Sequence, residues 1–152
     1  MKYRSQAVII SSIIATRLLG FQSFSFVIPL LAFLGVYFKK EDKSVLLALG
    51  LSEVMLGISI ISVITLPLLY LIYRLSYLTQ KTTLYTLGSI LMYHLLTNMA
   101  YAFLFMNGKV TEALLLATPF LIKQVVSGML FYGACLLLNK KYLHLTPARS
   151  RV

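Results

Sequence analysis

Six polar or charged residues stand inside otherwise apolar runs, and any chemistry of this chain has to begin with them: Arg17, Glu53, His94, Asn98, Lys123 and Gln124. Glu53 is the one acid among them. A lone carboxylate in apolar surroundings either takes up a proton or finds a cation, and Arg17 and Lys123 are the cations available. A Glu53–Lys123 pair would tie two distant segments together. Two readings follow, a proton or ligand site and an interhelical fastener. The fastener is preferred, because a proton carrier usually holds more than one buried acid. Arg17 lies three residues before a Gly-Phe-Gln-Ser-Phe-Ser stretch suited to a bend, so its stem is expected to run along apolar surface and carry the guanidinium out to the headgroups. His94 and Asn98 are four apart and share one helical face, with Thr97 beside them. Two such groups without a carboxylate or a second histidine make a weak metal site. Hydrogen bonding between helices is the better reading, for them and for Gln124 with its neighbours Ser127 and Gly128.

Other chemistry is thinly represented. A single cysteine, Cys135, excludes an internal disulfide and a cysteine metal cluster. Glycine-rich phosphate loops, HExxH and a supported Ser/His/Asp set are all missing from the sequence. The chain is therefore read as non-enzymatic, with no cofactor and no bound metal expected.

The elements that must position these residues follow from composition. Of 152 residues, 59% are hydrophobic and 12% charged, and the mean hydropathy is +0.87. That charged share is about half the usual one for a soluble domain. A small soluble protein would have no way to cover so much apolar surface. Lipid removes the contradiction, and one compact membrane domain is expected. The net charge of +10 comes from 14 Lys and Arg against four Asp and Glu. The basic residues cluster in short gaps between apolar runs rather than along a helix face, so they are read as topological anchors, not as a nucleic-acid surface. The opening Met1-Lys2-Tyr3-Arg4 is read as the anchor of a first spanning helix, since no small-residue cleavage site leads into a polar mature domain.

Polar punctuation leaves four apolar blocks, 7–38, 45–73, 82–106 and 113–138. A spanning helix needs about 20 residues. The last two blocks suit one span each, whereas the first two are long for one and short for two. Charge decides. If the first two blocks double back, Lys2, Arg4, Lys39, Lys40, Lys43, Arg74, Lys81, Lys140, Lys141, Arg149 and Arg151 share one side. That is eleven of the fourteen basic residues, leaving Lys109 alone opposite. This asymmetry is what cytoplasmic retention of basic loops produces. The expected fold is all-α: a polytopic transmembrane bundle of six spans, two short hairpins plus two full spans, near 7–21, 26–38, 45–57, 60–73, 82–106 and 113–138. Both termini are then cytoplasmic, and residues 139–152 form a basic cytoplasmic tail. Short arms of about 14–16 residues would cross obliquely or thin the bilayer. Bends are expected at 20–25 and 57–59, where glycine eases a tight turn. Five spans, with one long tilted helix, is the alternative. Pro29 and Pro67 either kink or begin a helix. Tyr3, Tyr37, Tyr73, Tyr77, Tyr85, Tyr101 and Tyr142 lie near block ends, as interfacial aromatics do.

This layout resembles the rod shape-determining MreD family over nearly the whole chain. A short apolar hairpin leads to a proline opening a leucine run, Pro29-Leu30-Leu31-Ala32-Phe33-Leu34. A basic loop follows, then Gly50-Leu51-Ser52-Glu53-Val54-Met55-Leu56-Gly57, similar to the family's glycine–leucine–acid–leucine stretch. The last span runs into Asn139-Lys140-Lys141. The family more often has Asp, one residue later than Glu53, and a second glycine in the turn. The resemblance implies a non-enzymatic scaffold of the lateral wall elongation machinery in a bacterial cytoplasmic membrane. The implied partners are a single-pass MreC-like protein, the wall-elongation synthases and the lipid bilayer, with no nucleic acid. A different class, the substrate-binding subunit of an energy-coupling-factor vitamin importer, is also a compact six-helix bundle. It would need an outward pocket lined by polar and aromatic groups.

Overall fold

The structure is a computed structural model of the chain, describing residues 2–19, 26–38, 41–76, 78 and 82–145; for 2–5 and 19 only the backbone course is described. Among these residues there are six α-helices and no strand: α1 Lys2–Leu19, α2 Val27–Tyr37, α3 Asp42–Leu56, α4 Ser62–Ser76, α5 Thr82–Phe105 and α6 Val110–Leu138. The expected bend at 20–25, Lys39, Lys40, Lys81, Tyr77 and the tail from 146 lie outside the described residues.

Breaks fall where the backbone needs residues tolerant of positive φ. Gly57 ends α3 at φ 88°, and Asn107 (φ 51°) with Gly108 (φ 79°) makes the turn from α5 to α6. Asn and Gly take this conformation at least cost. The freed carbonyl of Ala102 accepts from both the Met106 and Gly108 amides, each at 3.0 Å. Pro29 sits in the first turn of α2, where a missing amide is harmless. Pro67 and Pro119 lie inside α4 and α6. Beyond α6 the chain continues into a π-helical turn, Asn139–Leu143, at the start of the basic segment. Asn139 stitches it down, accepting from the Leu145 amide at 2.9 Å and donating to the Leu145 carbonyl at 3.2 Å.

α2 is apolar on every side, and ten of its eleven residues are buried. A helix without a polar stripe has no face to give to water and goes inside. It touches α1, α4, α5 and α6. Its length is about 16 Å, against about 22 Å for α3 and for α4, about 36 Å for α5 and about 44 Å for α6. The arm expected at 26–38 is thus shorter than expected. The two hairpins stack like on like: α1 packs on α3, and α2 on α4, while α5 and α6 cover the α2–α4 side. α2 and α4 meet backbone to side chain at Gly35, where a Cβ would collide with the Tyr73 carbonyl and the Ser76 hydroxyl. The α5–α6 pair is antiparallel. His94 faces Gln124 and Ile90 faces Gly128, so four residues up one helix match four residues down the other.

Polar ties fix the basic end. Arg74 at the end of α4 pairs with Asp42 at the start of α3 at 2.9 Å. Tyr73 donates to the Phe38 carbonyl, and Tyr85 at the start of α5 donates to the Ile72 carbonyl, both at 2.8 Å. These ties, with the antiparallel α5–α6 pair, put Lys43, Arg74, Lys140 and Lys141 at one end of the bundle and Lys109 at the other. Tyr73, expected at an interface, is in fact internal and only 1% exposed, because its hydroxyl caps the short α2.

Candidate functional site

Glu53 lies in the last turn of α3. Leu49, Ser52 and Glu53 follow the three-and-four spacing of one helical face, and that face meets α1. Arg17, near the end of α1, reaches across it. Its Nη2 lies 2.5 Å from Glu53 Oε2, and its Nη1 donates to Ser52 Oγ at 2.9 Å and to the Leu49 carbonyl at 3.2 Å. The other carboxylate oxygen, Oε1, accepts from the hydroxyl of Ser62, the first residue of α4. Ser62 Oγ in turn accepts from the Ser59 amide at 3.2 Å. Both charged side chains are about nine-tenths buried, at 11% and 10% exposure. One carboxylate thus joins α1, α3, the 57–61 turn and α4.

This arrangement decides between the two possible partners of Glu53 and corrects one expectation. Arg17 does not run out to the headgroups; it is drawn inward by the carboxylate and by two further acceptors on α3. Glu53 does not pair with Lys123, which sits on the far side of α6 and has no ion-pair or hydrogen-bond partner for its ammonium among the described residues. Gln124 explains why. It turns inward to His94, and the next position round a helix, about 100° away, faces outward.

The second polar cluster bridges α5 and α6. His94 is 6% exposed, and its Nδ1 lies 3.2 Å from Gln124 Oε1. With the amide oriented this way the ring donates from Nδ1, and Nε2 is left without a partner among the described residues. Asn98 does not join His94 around a ligand. Its Nδ2 bonds back to the His94 carbonyl at 2.7 Å, and Thr97 Oγ1 bonds to the Tyr93 carbonyl at 2.7 Å. Such back-bonding satisfies a polar side chain within its own helix. Among the described residues no three His, Cys, Asp or Glu side chains come close enough to hold a metal. Cys135 is half-buried against the core.

Sequence reasoning passed over Ser52, Ser59 and Ser62 as members of the acid's shell. A serine three residues before another at the start of a helix is a turn-and-cap signal, and its place just after Gly57 was the clue. It also passed over the Asp42–Arg74 pair. An apolar groove of about 340 Å³ runs between α4 and α5, walled by Leu68, Leu71, Ile72, Leu75, Met92 and Leu96.

The two clusters can fasten helices. Apart from His94 Nε2, the polar groups of each are spent on neighbouring helices or on their own backbone. Comparison with family models, with curated proteins and with solved structures finds no match for the chain.

Proposed function

We propose that the chain is a polytopic membrane scaffold, a six-span helical bundle in a bacterial cytoplasmic membrane that works by binding other membrane proteins through its helix faces. The observation carrying this reading is an inverted distribution of side chains. Thirty-two large apolar residues are exposed among the described ones, against twenty-one apolar residues buried in the core. Monomeric soluble proteins rarely expose contiguous apolar surface beyond a few hundred Å². α5 and α6 are long and apolar enough to cross a membrane, yet little of either is buried within the protein. Lipid accounts for that surface. Arg17, Glu53, His94 and Gln124 meanwhile point inward and tie helices together, as polar groups do where hydrocarbon offers no hydrogen bonds.

The short arms fit the same reading. α2 alone is too short to cross about 30 Å of hydrocarbon, but it is wrapped by four other helices, and ends buried in protein are tolerated at membrane depth. A bundle with short turns and polar clusters that link its own helices acts through its sides and ends. That is the economy of a scaffold, and it agrees with the resemblance to the MreD family.

The test is copurification from a native membrane. The scaffold reading expects a single-pass MreC-like partner, and the wall-elongation synthases through it. Recovery of transport ATPases with a bound vitamin would instead establish the importer reading.

A further inference from the structure

We infer that the outward face of α6 is a docking seam for one transmembrane helix of another protein, a helix that carries a carboxylate near mid-span. The seam is written in a seven-residue repeat. Leu116, Lys123, Leu130 and Leu137 recur every seven positions, and all four are exposed, the three leucines at 68%, 71% and 69%. Ser127 and Ala134 repeat at the same interval beside them. A stripe with period 3.5 is the pattern by which one helix packs along another at a shallow crossing angle. Small residues beside it allow close approach. Ser127 is compact, its hydroxyl folded back onto the Lys123 carbonyl at 2.7 Å.

Lys123 identifies the partner. Along the helix it is about 16 Å from Glu112 at one end and about 25 Å from Lys140 at the other. With about 30 Å of hydrocarbon centred between those two residues, the nearer boundary is still about 10 Å along the helix from Lys123, beyond a four-carbon stem. A cation left against lipid at that depth is costly, and such groups pair with an opposite charge. This chain has no acid to give. It holds four: Glu41, Asp42 and Glu112 stand at the helix starts, at the ends of the bundle, and Glu53 is already held by Arg17 and Ser62. A second copy meets the same shortage. The carboxylate must therefore come from a different chain, and a single lysine in an otherwise leucine-rich stripe sets both register and choice of partner.

The inference rests on the membrane reading, and one experiment separates the two. The labelled full chain is reconstituted in phosphatidylcholine vesicles with synthetic leucine-rich helices of about 22 residues bearing a central Glu, Gln or Lys. Energy transfer reports association, and flotation with the vesicles reports membrane residence. The Glu helix is expected to bind about tenfold more tightly than the Gln helix. Lys123→Gln is expected to erase that preference, and Lys123→Glu to transfer it to the Lys helix. A chain that floats but treats the three helices alike overturns the seam alone. A chain that stays in the aqueous fraction overturns the seam and the membrane reading together. If differently labelled copies of the chain associate with each other more tightly than with the Glu helix, the face is a self-contact and the inference fails.

Discussion

Arg17 and Glu53, thirty-six residues apart and on different helices, lie 2.5 Å from each other with both side chains about nine-tenths buried. Breaking such a pair from one side leaves a charge without its partner in a medium that solvates it poorly. That costs about 3–5 kcal/mol, whereas replacing both members with apolar groups is often close to neutral. Glu53→Gln is accordingly expected to lower the unfolding midpoint in mixed micelles clearly, and Arg17→Met by a similar amount. The double variant Arg17→Met/Glu53→Leu should recover most of the loss. Binding of the membrane partner should survive in the folded fraction of Glu53→Gln. A fully folded Glu53→Gln protein without any activity would instead mark Glu53 as a proton-handling group.

The His94–Gln124 bond invites the same comparison with a smaller magnitude. Polar links between membrane helices average about 0.6 kcal/mol in double-mutant cycles. His94 already has one ring nitrogen unpartnered among the described residues, so Gln124→Leu strands the second. The expected order of stability places His94→Leu/Gln124→Leu above Gln124→Leu. Should the double variant be the weaker, His94 Nε2 has a partner outside this chain that matters more than Gln124.

Gly35 tests how short α2 is held. A Cβ at this position meets the Tyr73 carbonyl and the Ser76 hydroxyl, and neither is the loose end of a flexible chain. Gly35→Ala is expected to force α2 and α4 apart at a cost of about 1–3 kcal/mol. Gly50→Ala, where nothing lies within 4 Å, should be neutral or slightly stabilising, since alanine is the better helix former. Equal effects would mean that α2 and α4 do not approach closely at Gly35.

Helix positions were largely legible because polar residues interrupt the apolar runs: Gly57, Asn107 and Gly108 mark breaks that chain chemistry alone dictates. The interior place of α2 went unread, although its lack of any polar stripe carried it. The partner of Glu53 was not legible. Choosing Arg17 over Lys123 requires knowing that α1 stacks on α3, a long-range outcome with no local signature. The orientation of Lys123 had the same origin, since it depends on which neighbour, Gln124 or Lys123, meets His94. Tyr73 misled because a tyrosine near a block end serves equally well at an interface or as an internal cap, and the shortness of α2 decides between them.

The ends of the bundle give the most direct test of the membrane reading. Asp42–Arg74 and the antiparallel α5–α6 pair gather Lys43, Arg74, Lys140 and Lys141 at one end, with Lys109 opposite. Basic loops are retained on the cytoplasmic side, so the side of each residue is fixed once the membrane lies across the helices. In a Cys135→Ser background, cysteines are placed singly at Lys43, Leu78 and Lys109. An impermeant maleimide added to intact cells is expected to label Lys109→Cys and to spare Lys43→Cys and Leu78→Cys until the membrane is opened. Labelling of Lys43→Cys and Leu78→Cys from opposite sides would make α3 and α4 a single crossing rather than a hairpin. In that arrangement Arg74 has no route to Asp42, and Ser62 has none to Glu53.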